Sequence, residues 1–167
     1  EIYSEGRYSS QSTTDLRPDR LGGFISEAVA LTKALQPDPD RQMPDPALYE
    51  GRAKVDLDLV DSSIGEITRE SRLATLAELD ENLRTHEKTI SGTSNVSDSH
   101  YLSTGSSSNG FKGHREATSF WCGVEVTLKD EGDRRANGGN WMGGRHRKDV
   151  PEAASIAKTG LQKAVMR

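Results

Sequence analysis

Cys122 is the only residue of this chain that could act as a thiol nucleophile. It lies between Phe120 and Val124, in a stretch where bulky apolar residues alternate with other residues. In the strand that this alternation predicts, the thiol faces an apolar interior, where desolvation raises its pKa. We therefore expect Cys122 to pack in the core rather than to attack a substrate. One cysteine cannot form an internal disulfide, which favours a reducing cytoplasm.

Histidines offer a second class of chemistry, metal ligation. No two of the four are spaced as in a helical zinc site, and both C-x-x-C and H-E-x-x-H are absent from the chain. Asp and Glu are spread throughout, and no pair stands out for acid–base catalysis. We therefore predict no catalytic, cofactor-binding or metal-binding residue in this segment; the histidines are His86, His100, His114 and His146.

A basic tract over residues 134–148 is the best candidate for binding nucleic acid. It combines cations that could contact phosphates with Trp141, whose ring could stack on a base. The whole chain nevertheless carries a formal charge of −4, so a solvated surface is the simpler interpretation and nucleic acid is not the expected partner. The cations of the tract are Arg134, Arg135, Arg145, Arg147 and Lys148.

A strand over Thr118–Lys129 is the clearest element that could position these groups. Five apolar residues alternate along it and predict one buried face: Phe120, Cys122, Val124, Val126 and Leu128. Asn109-Gly110 before it favours a tight turn, and Ile90 and Val96 indicate a preceding strand. Together these signals predict an antiparallel meander. A short hairpin is expected to turn at Glu5-Gly6.

Three amphipathic helices are predicted around the meander, from Pro18 to about Leu35, from about Thr68 to Thr85, and from Pro151 onward. The fold class is therefore α+β, with the meander packed against two or three helices. Gly22-Gly23 suggests close packing against another backbone. The apolar stripes expected to be buried are, in the order of the three helices, Leu21, Phe24, Ile25, Ala28, Val29 and Leu35; Leu73, Leu76, Ala77, Leu79 and Leu83; and Ala153, Ile156, Ala157, Leu161, Ala164 and Val165.

Three stretches between these elements are irregular in sequence. Four prolines over residues 36–46 predict a surface loop, and residues 55–59 predict a brief extended segment. The glycine-rich tract over residues 132–148 predicts a long loop or an irregular hairpin.

No apolar window is long enough to span a bilayer. At 32% hydrophobic residues the chain is lean, so its core could be completed elsewhere.

Three segments, in this order, resemble the TldD/PmbA family, whose partner branch is also called modulator of DNA gyrase. EGRYSSQSTTDLRPDRLGGFISEAVALTKALQPDP resembles the strand, "ST-x-D-L" run and helix of its N-terminal domain. SSSNGFKGHREATSFWCGVEVTLKD resembles its "NS-x-G" hairpin and alternating strand. PEAASIAKTGLQKA resembles the alanine-rich helix that ends that domain.

The resemblance implies a single N-terminal domain over residues 1–167, incomplete at both ends. Residues 1–60 would supply a hairpin, helix and proline-rich loop, and residues 61–167 a helix, meander and helix. In the family, one branch holds zinc on an H-E-x-x-x-H helix and cleaves peptides, and the other lacks the metal and acts as its partner. No position here matches that motif, so the segment itself is expected to be non-catalytic, with no cofactor, and zinc is expected only in a full-length protein.

The resemblance also implies a homo- or heterodimer with a TldD/PmbA-like subunit, an extended peptide as substrate and a role in cytoplasmic peptide maturation or proteolysis. Two alternatives stay open. The chain could be a stand-alone module that binds a peptide or protein at a sheet edge. It could also be a nucleic-acid-associated, gyrase-modulator-like protein that uses the basic tract at 134–148.

Overall fold

The computed structural model describes residues 1–166 of the chain. Their contacts divide the chain into two compact units. The first unit comprises Glu1–Ala53 and Ser106–Lys112, and the second comprises Lys54–Gly105 and Gly113–Arg167. The expectation of a single domain with parts 1–60 and 61–167 stays a prediction.

The first unit begins with an antiparallel hairpin of β1 (Ile2–Ser4) and β2 (Arg7–Ser9). The turn lies at Glu5 and Gly6, whose φ angles are 52° and 72°, as the sequence predicted. Helix α1 (Pro18–Ala34) follows, and its buried Thr32 hydroxyl lies 2.7 Å from the Ser9 hydroxyl of β2. The hairpin therefore packs on the face of α1 that carries Ala28 and Thr32.

Two expectations for α1 are wrong. Ile25 and Leu35 are 57% and 46% exposed, because the hairpin covers a narrow face of small residues instead of the whole apolar stripe. Gly22 and Gly23 are exposed, and a methyl group added at either would meet no heavy atom within 4 Å. These glycines therefore do not mark a close backbone contact.

The second unit packs two α-helices against one three-stranded sheet. Its elements are a 3-10 turn at Ser62–Glu66, α2 (Arg69–Arg84), β3 (Thr89–Ser106), β4 (Lys112–Lys129), β5 (Arg135–Gly144), a 3-10 turn at Arg147–Asp149 and α3 (Ala153–Val165). The strand order is β3-β4-β5. β4 and β5 are antiparallel, in register from Phe120 opposite Gly144 to Lys129 opposite Arg135. The α+β class is confirmed.

The alternation of β4 has the predicted result. The even-numbered side chains from Thr118 to Leu128 are buried, and those from Cys122 to Leu128 pack with Leu79 and Leu83 of α2 and with α3. The prediction of a turn at Asn109-Gly110 is also confirmed, since Gly110 has φ of 96° between β3 and β4. The buried residues of α3 are Ala153, Ile156, Ala157, Gly160 and Ala164.

Three expectations for the second unit need correction. The glycine-rich tract forms the regular strand β5, because Gly138 meets the α3 backbone at Ala164 so closely that a Cβ would overlap it. The extended segment at residues 55–59 forms no strand, and Asp58 within it has φ of 49°. Leu73, Ala77 and Val165 are exposed, so the stripes of α2 and α3 are narrower than predicted.

Candidate binding groove and edge strand

A groove of about 560 Å³ opens in the second unit. It lies where α2, β3, β4 and the start of α3 meet, and both charged and apolar side chains line it. The lining residues on which its chemistry depends are Arg72, Glu78, Asp98, Cys122, Arg147 and Glu152.

Arg72 of α2 and Asp98 of β3 form an ion pair in the groove wall. The guanidinium donates from Nε to Oδ1 and from Nη2 to Oδ2, each over 2.6 Å. This hydrogen-bonded pairing lowers the pKa of Asp98, although partial burial opposes the shift, and it raises the pKa of Arg72. A forked, charge-assisted contact fixes orientation as well as distance, so it locks α2 to β3 at the groove.

Thr118 is the centre of a hydrogen-bond network beside the groove. The residue is fully buried, and its N–H donates to the Leu59 carbonyl over 2.9 Å. Its hydroxyl donates to the Arg145 carbonyl over 2.7 Å and accepts from the Asp61 N–H over 2.9 Å. The Arg145 guanidinium donates in turn to the Thr118 carbonyl over 3.2 Å. The network joins β4 to the backbone on either side of it.

Asp61 extends this network toward the groove. Its carboxylate accepts from the Arg147 N–H over 2.8 Å and from the N–H and hydroxyl of Ser63 over 2.9 and 2.7 Å. These bonds, led by the one from Arg147, lower the pKa of Asp61 to about 2. The backbone of Arg147, a groove residue, is thereby held in place.

Cys122 has the environment that its position in the strand predicted. The side chain is 5% exposed and belongs to the core cluster. Burial is the main cause that raises the pKa of its thiol, and the Glu78 carboxylate adds to the shift. The group therefore stays protonated near neutral pH, which fits packing rather than nucleophilic attack.

β3 presents an unusual sheet edge. Within the described residues it pairs only with β4, so its other edge has no strand partner. Exposed edges are normally protected by lysine, proline or bulges, and β3 contains no Lys, Arg or Pro in 18 residues. Its one carboxylate, Asp98, is bound by Arg72, and the His100 ring lies 2.7 Å from Glu116 of β4. The edge is therefore suited to pairing with another strand.

The structure leaves the histidines apart from one another, except that His100 and His114 both lie near Glu116. His146 lies 2.7 Å from the Asp58 carbonyl, and His86 accepts from the Lys88 N–H. Among residues 1–166 no group of three or more His, Cys, Asp and Glu side chains could hold a metal ion. The zinc that the family resemblance implies does not fit this part of the chain.

The basic tract is divided between two places. Arg135 and Trp141 lie on the side of β5 away from the core, whereas Arg147 lines the groove.

Sequence reasoning did not find Arg72 or Asp98 as site residues. They are 26 residues apart and neither belongs to a spaced motif, so only the packing of α2 beside β3 brings them together. None of the described helices is long and apolar enough to cross a membrane.

The chain is similar to the crystal structure of a candidate modulator of DNA gyrase from Bacteroides thetaiotaomicron VPI-5482, with 27% identity and a TM-score of 0.90 over 98% of this chain and 38% of that one. A second candidate gyrase modulator, from Thermotoga maritima MSB8, has 10% identity and a TM-score of 0.77 over 97% of this chain and 35% of its own.

TldE from Thermococcus kodakarensis is similar over 89% of this chain and 33% of its own, with 16% identity and a TM-score of 0.60. This likeness and the Thermotoga one show the fold alone. This chain spans only 33% to 38% of the length of these three proteins. No curated protein matches the chain.

A family model described as the PmbA/TldA metallopeptidase central domain matches residues 62–167. The family predicted from the sequence is thus confirmed, although the matched stretch is described as a central domain and the sequence had suggested the N-terminal one. Because the match covers more than half of its 167 residues, the chain belongs to the PmbA/TldD family.

Proposed function

We propose that this chain is a non-catalytic, peptide-binding part of a PmbA/TldD-type, zinc-dependent peptidase system that acts in peptide maturation or proteolysis. The observation that supports this proposal is the unprotected edge of β3 beside the groove. An extended peptide would add to that edge as a further strand. Its main-chain groups would bind the free N–H and C=O groups of β3, and this binding would not depend on the peptide's sequence.

The groove would select only weakly among peptides by their side chains. Every second side chain of the added strand would project toward the sheet face of Val96 and Asp98, which line the groove. There it would meet Glu78 and Glu152 as well as Arg147, while Arg72 and Asp98 neutralise each other. A wall with charges of both signs favours no single class of side chain.

Hydrolysis and zinc would belong to groups outside this segment, in accordance with the family resemblance. The same proposal includes a PmbA/TldD-like partner subunit and a cytoplasmic setting. Zinc analysis of the chain alone and with such a subunit tests this division. The proposal expects metal and peptide cleavage only in the assembled system, and peptide cleavage by the 167-residue chain alone would contradict it.

Calorimetric titration tests peptide binding directly. The ligand is a neutral, end-capped Ser/Thr/Val peptide of about ten residues, long enough to form a strand. Its fully N-methylated counterpart keeps the side chains but loses the main-chain donors. We expect binding of the first peptide and at least about tenfold weaker binding of the second, the equivalent of roughly 1.4 kcal/mol. Equal affinity for the two would refute pairing through the main chain.

A substitution in β3 gives the matching test on the protein. Ser97→Lys places a protective cation on the edge strand, and should weaken binding of the neutral peptide. Ser26→Lys on exposed α1 adds the same charge as a control and should leave the affinity unchanged. If both variants bind as tightly as the parent chain, the β3 edge is not the site.

A further inference from the structure

Two tryptophans lie on neighbouring positions of one sheet face in a reciprocal arrangement. Trp121 of β4 is opposite Gly143 of β5, and Trp141 of β5 is opposite Gly123 of β4. A Cβ built on Gly143 would overlap the Trp121 ring, and one on Gly123 would overlap the Trp141 ring. Each ring therefore lies flat on the glycine of the other strand, in the space where a side chain would stand.

The outer side of each ring is open to solvent. Trp121 is 50% and Trp141 46% exposed, on the face opposite the buried Cys122 and Val124. The two rungs are two residues apart, about 6.8 Å along the strands. Because each ring lies flat on the sheet, the rings lie side by side and are not stacked on each other. The pair would therefore fit bases that have been separated from one another.

Cations mark the other end of the same face. Lys129 and Arg135 are direct cross-strand partners, and Lys129 is an odd-numbered residue like Trp121 and Gly123. Like charges that face each other across a strand pair destabilise a sheet, so this rung favours an anionic ligand. It lies six residues from Gly123, about 20 Å along β4. The one carboxylate on the rungs between is Glu125, opposite Gly139.

We propose that this open face of β4 and β5 binds single-stranded nucleic acid. Bases stack on the outward sides of Trp121 and Trp141, and Lys129 and Arg135 contact the phosphates. A protein or a proline-rich peptide could also cover the rings, but neither would need the cationic rung. Because the whole chain has a formal charge of −4, the affinity is weak and strongly dependent on salt.

Intrinsic fluorescence provides the assay, since Trp121 and Trp141 are the chain's two tryptophans. The full 167-residue chain is titrated at low salt with oligothymidylate or oligouridylate of about eight nucleotides. We expect saturable quenching by at least one of them, and the preferred sugar separates DNA from RNA. A heteropolymer duplex of the same length should bind at least tenfold more weakly, because its bases are already stacked.

Charge variants test the phosphate contacts without disturbing the rings. Lys129→Gln/Arg135→Gln removes an unfavourable rung, so it should fold at least as well as the parent chain. The slope of log affinity against log salt should fall by about 1.4, or 0.7 for each lost contact with a single strand. Lys158→Gln, at an exposed position on α3, removes one positive charge away from this face and should not change the slope. Glu125→Gln should strengthen binding.

Ring variants test the stacking. Trp121→Leu and Trp141→Leu should each weaken binding about five- to 150-fold, while the remaining tryptophan still reports on the ligand. Circular dichroism melting identifies a ring variant that fails to fold. In that case the salt slope of Lys129→Gln/Arg135→Gln decides whether the proposal holds. Absence of quenching at low salt, or a salt slope unchanged by Lys129→Gln/Arg135→Gln, would overturn the proposal. Quenching by a proline-rich peptide but by neither oligonucleotide would also overturn it. None of these results bears on peptide pairing at β3.

Discussion

Arg72 and Asp98 meet side by side, Nε to Oδ1 and Nη2 to Oδ2, with both contacts at 2.6 Å. The Asp98 side chain is 11% exposed and that of Arg72 38% exposed, so the pair is partly shielded from water. It connects the first turn of α2 with the middle of β3. Such a contact stabilises the groove wall and sets where β3 lies relative to the helix.

Removal of one partner of this pair should cost more than removal of both. Arg72→Ala leaves the Asp98 carboxylate shielded without a partner, and the urea midpoint should fall clearly. Arg72→Ala/Asp98→Ala leaves no orphaned charge and should recover part of the loss. A double-mutant cycle in urea measures the coupling. Strictly additive effects would contradict a direct role for the pair in stability.

The pH dependence of stability should reveal Asp61. Its folded pKa of about 2 lies below the value of about 3.9 for an unfolded aspartate. A lowered folded pKa adds stability that is complete above about pH 4 and is lost as the pH falls toward 2. Asp61→Asn should therefore lower the urea midpoint at pH 7 and flatten its fall between about pH 4 and pH 2. An unchanged acid profile would show that the network around Asp61 contributes little.

Two helical glycines should respond in opposite directions to the same substitution. At Gly160 in α3 a Cβ would lie 2.6 Å from Val124 Cγ2, so Gly160→Ala should destabilise the chain by about 1–3 kcal/mol. At Gly22 in α1 nothing lies within 4 Å, so Gly22→Ala should stabilise its helix by up to about 1 kcal/mol. Thermal melting of both variants checks the signs. A stable Gly160→Ala protein would mean that α3 can move away from the sheet.

Cys122 should resist alkylation while the chain is folded. Burial and the Glu78 carboxylate both raise the pKa of its thiol, so little thiolate forms near neutral pH and little of it is accessible. Iodoacetamide labelling followed by mass spectrometry should be slow in buffer and fast in urea. Rapid labelling of the folded chain would contradict the core position.

Sequence patterns predicted those parts of the fold that depend on local periodicity. The alternation from Phe120 to Leu128 gave the buried face of β4, because side chains of a strand point to opposite faces in turn. Pro18 marked the first residue of α1, where its missing N–H costs nothing. The same reasoning failed for Ile25 and Leu73, since an apolar residue becomes buried only when another element covers it.

The candidate site depends on contacts between distant residues, which no local pattern records. Asp61 and Arg147 are 86 positions apart, and their contact requires both the fold of β4 and the turn after β5. The glycines of β5 suggested a loop because glycine is rare in strands, but here they admit α3 and the Trp121 ring. The alternation of β4 held a signal for the exposed tryptophan face. Trp121 and Gly123 are both odd-numbered, so both lie on the face away from the core, and Gly123 is opposite Trp141.

Amide hydrogen exchange of β3 with and without peptide tests the central claim most directly. If an extended peptide adds to the free edge, exchange should slow at alternate residues between Thr89 and Ser106, whose N–H groups point away from β4. Exchange along β5 should stay the same. Protection confined to β5, or no change in β3 when the peptide is bound, would contradict the account.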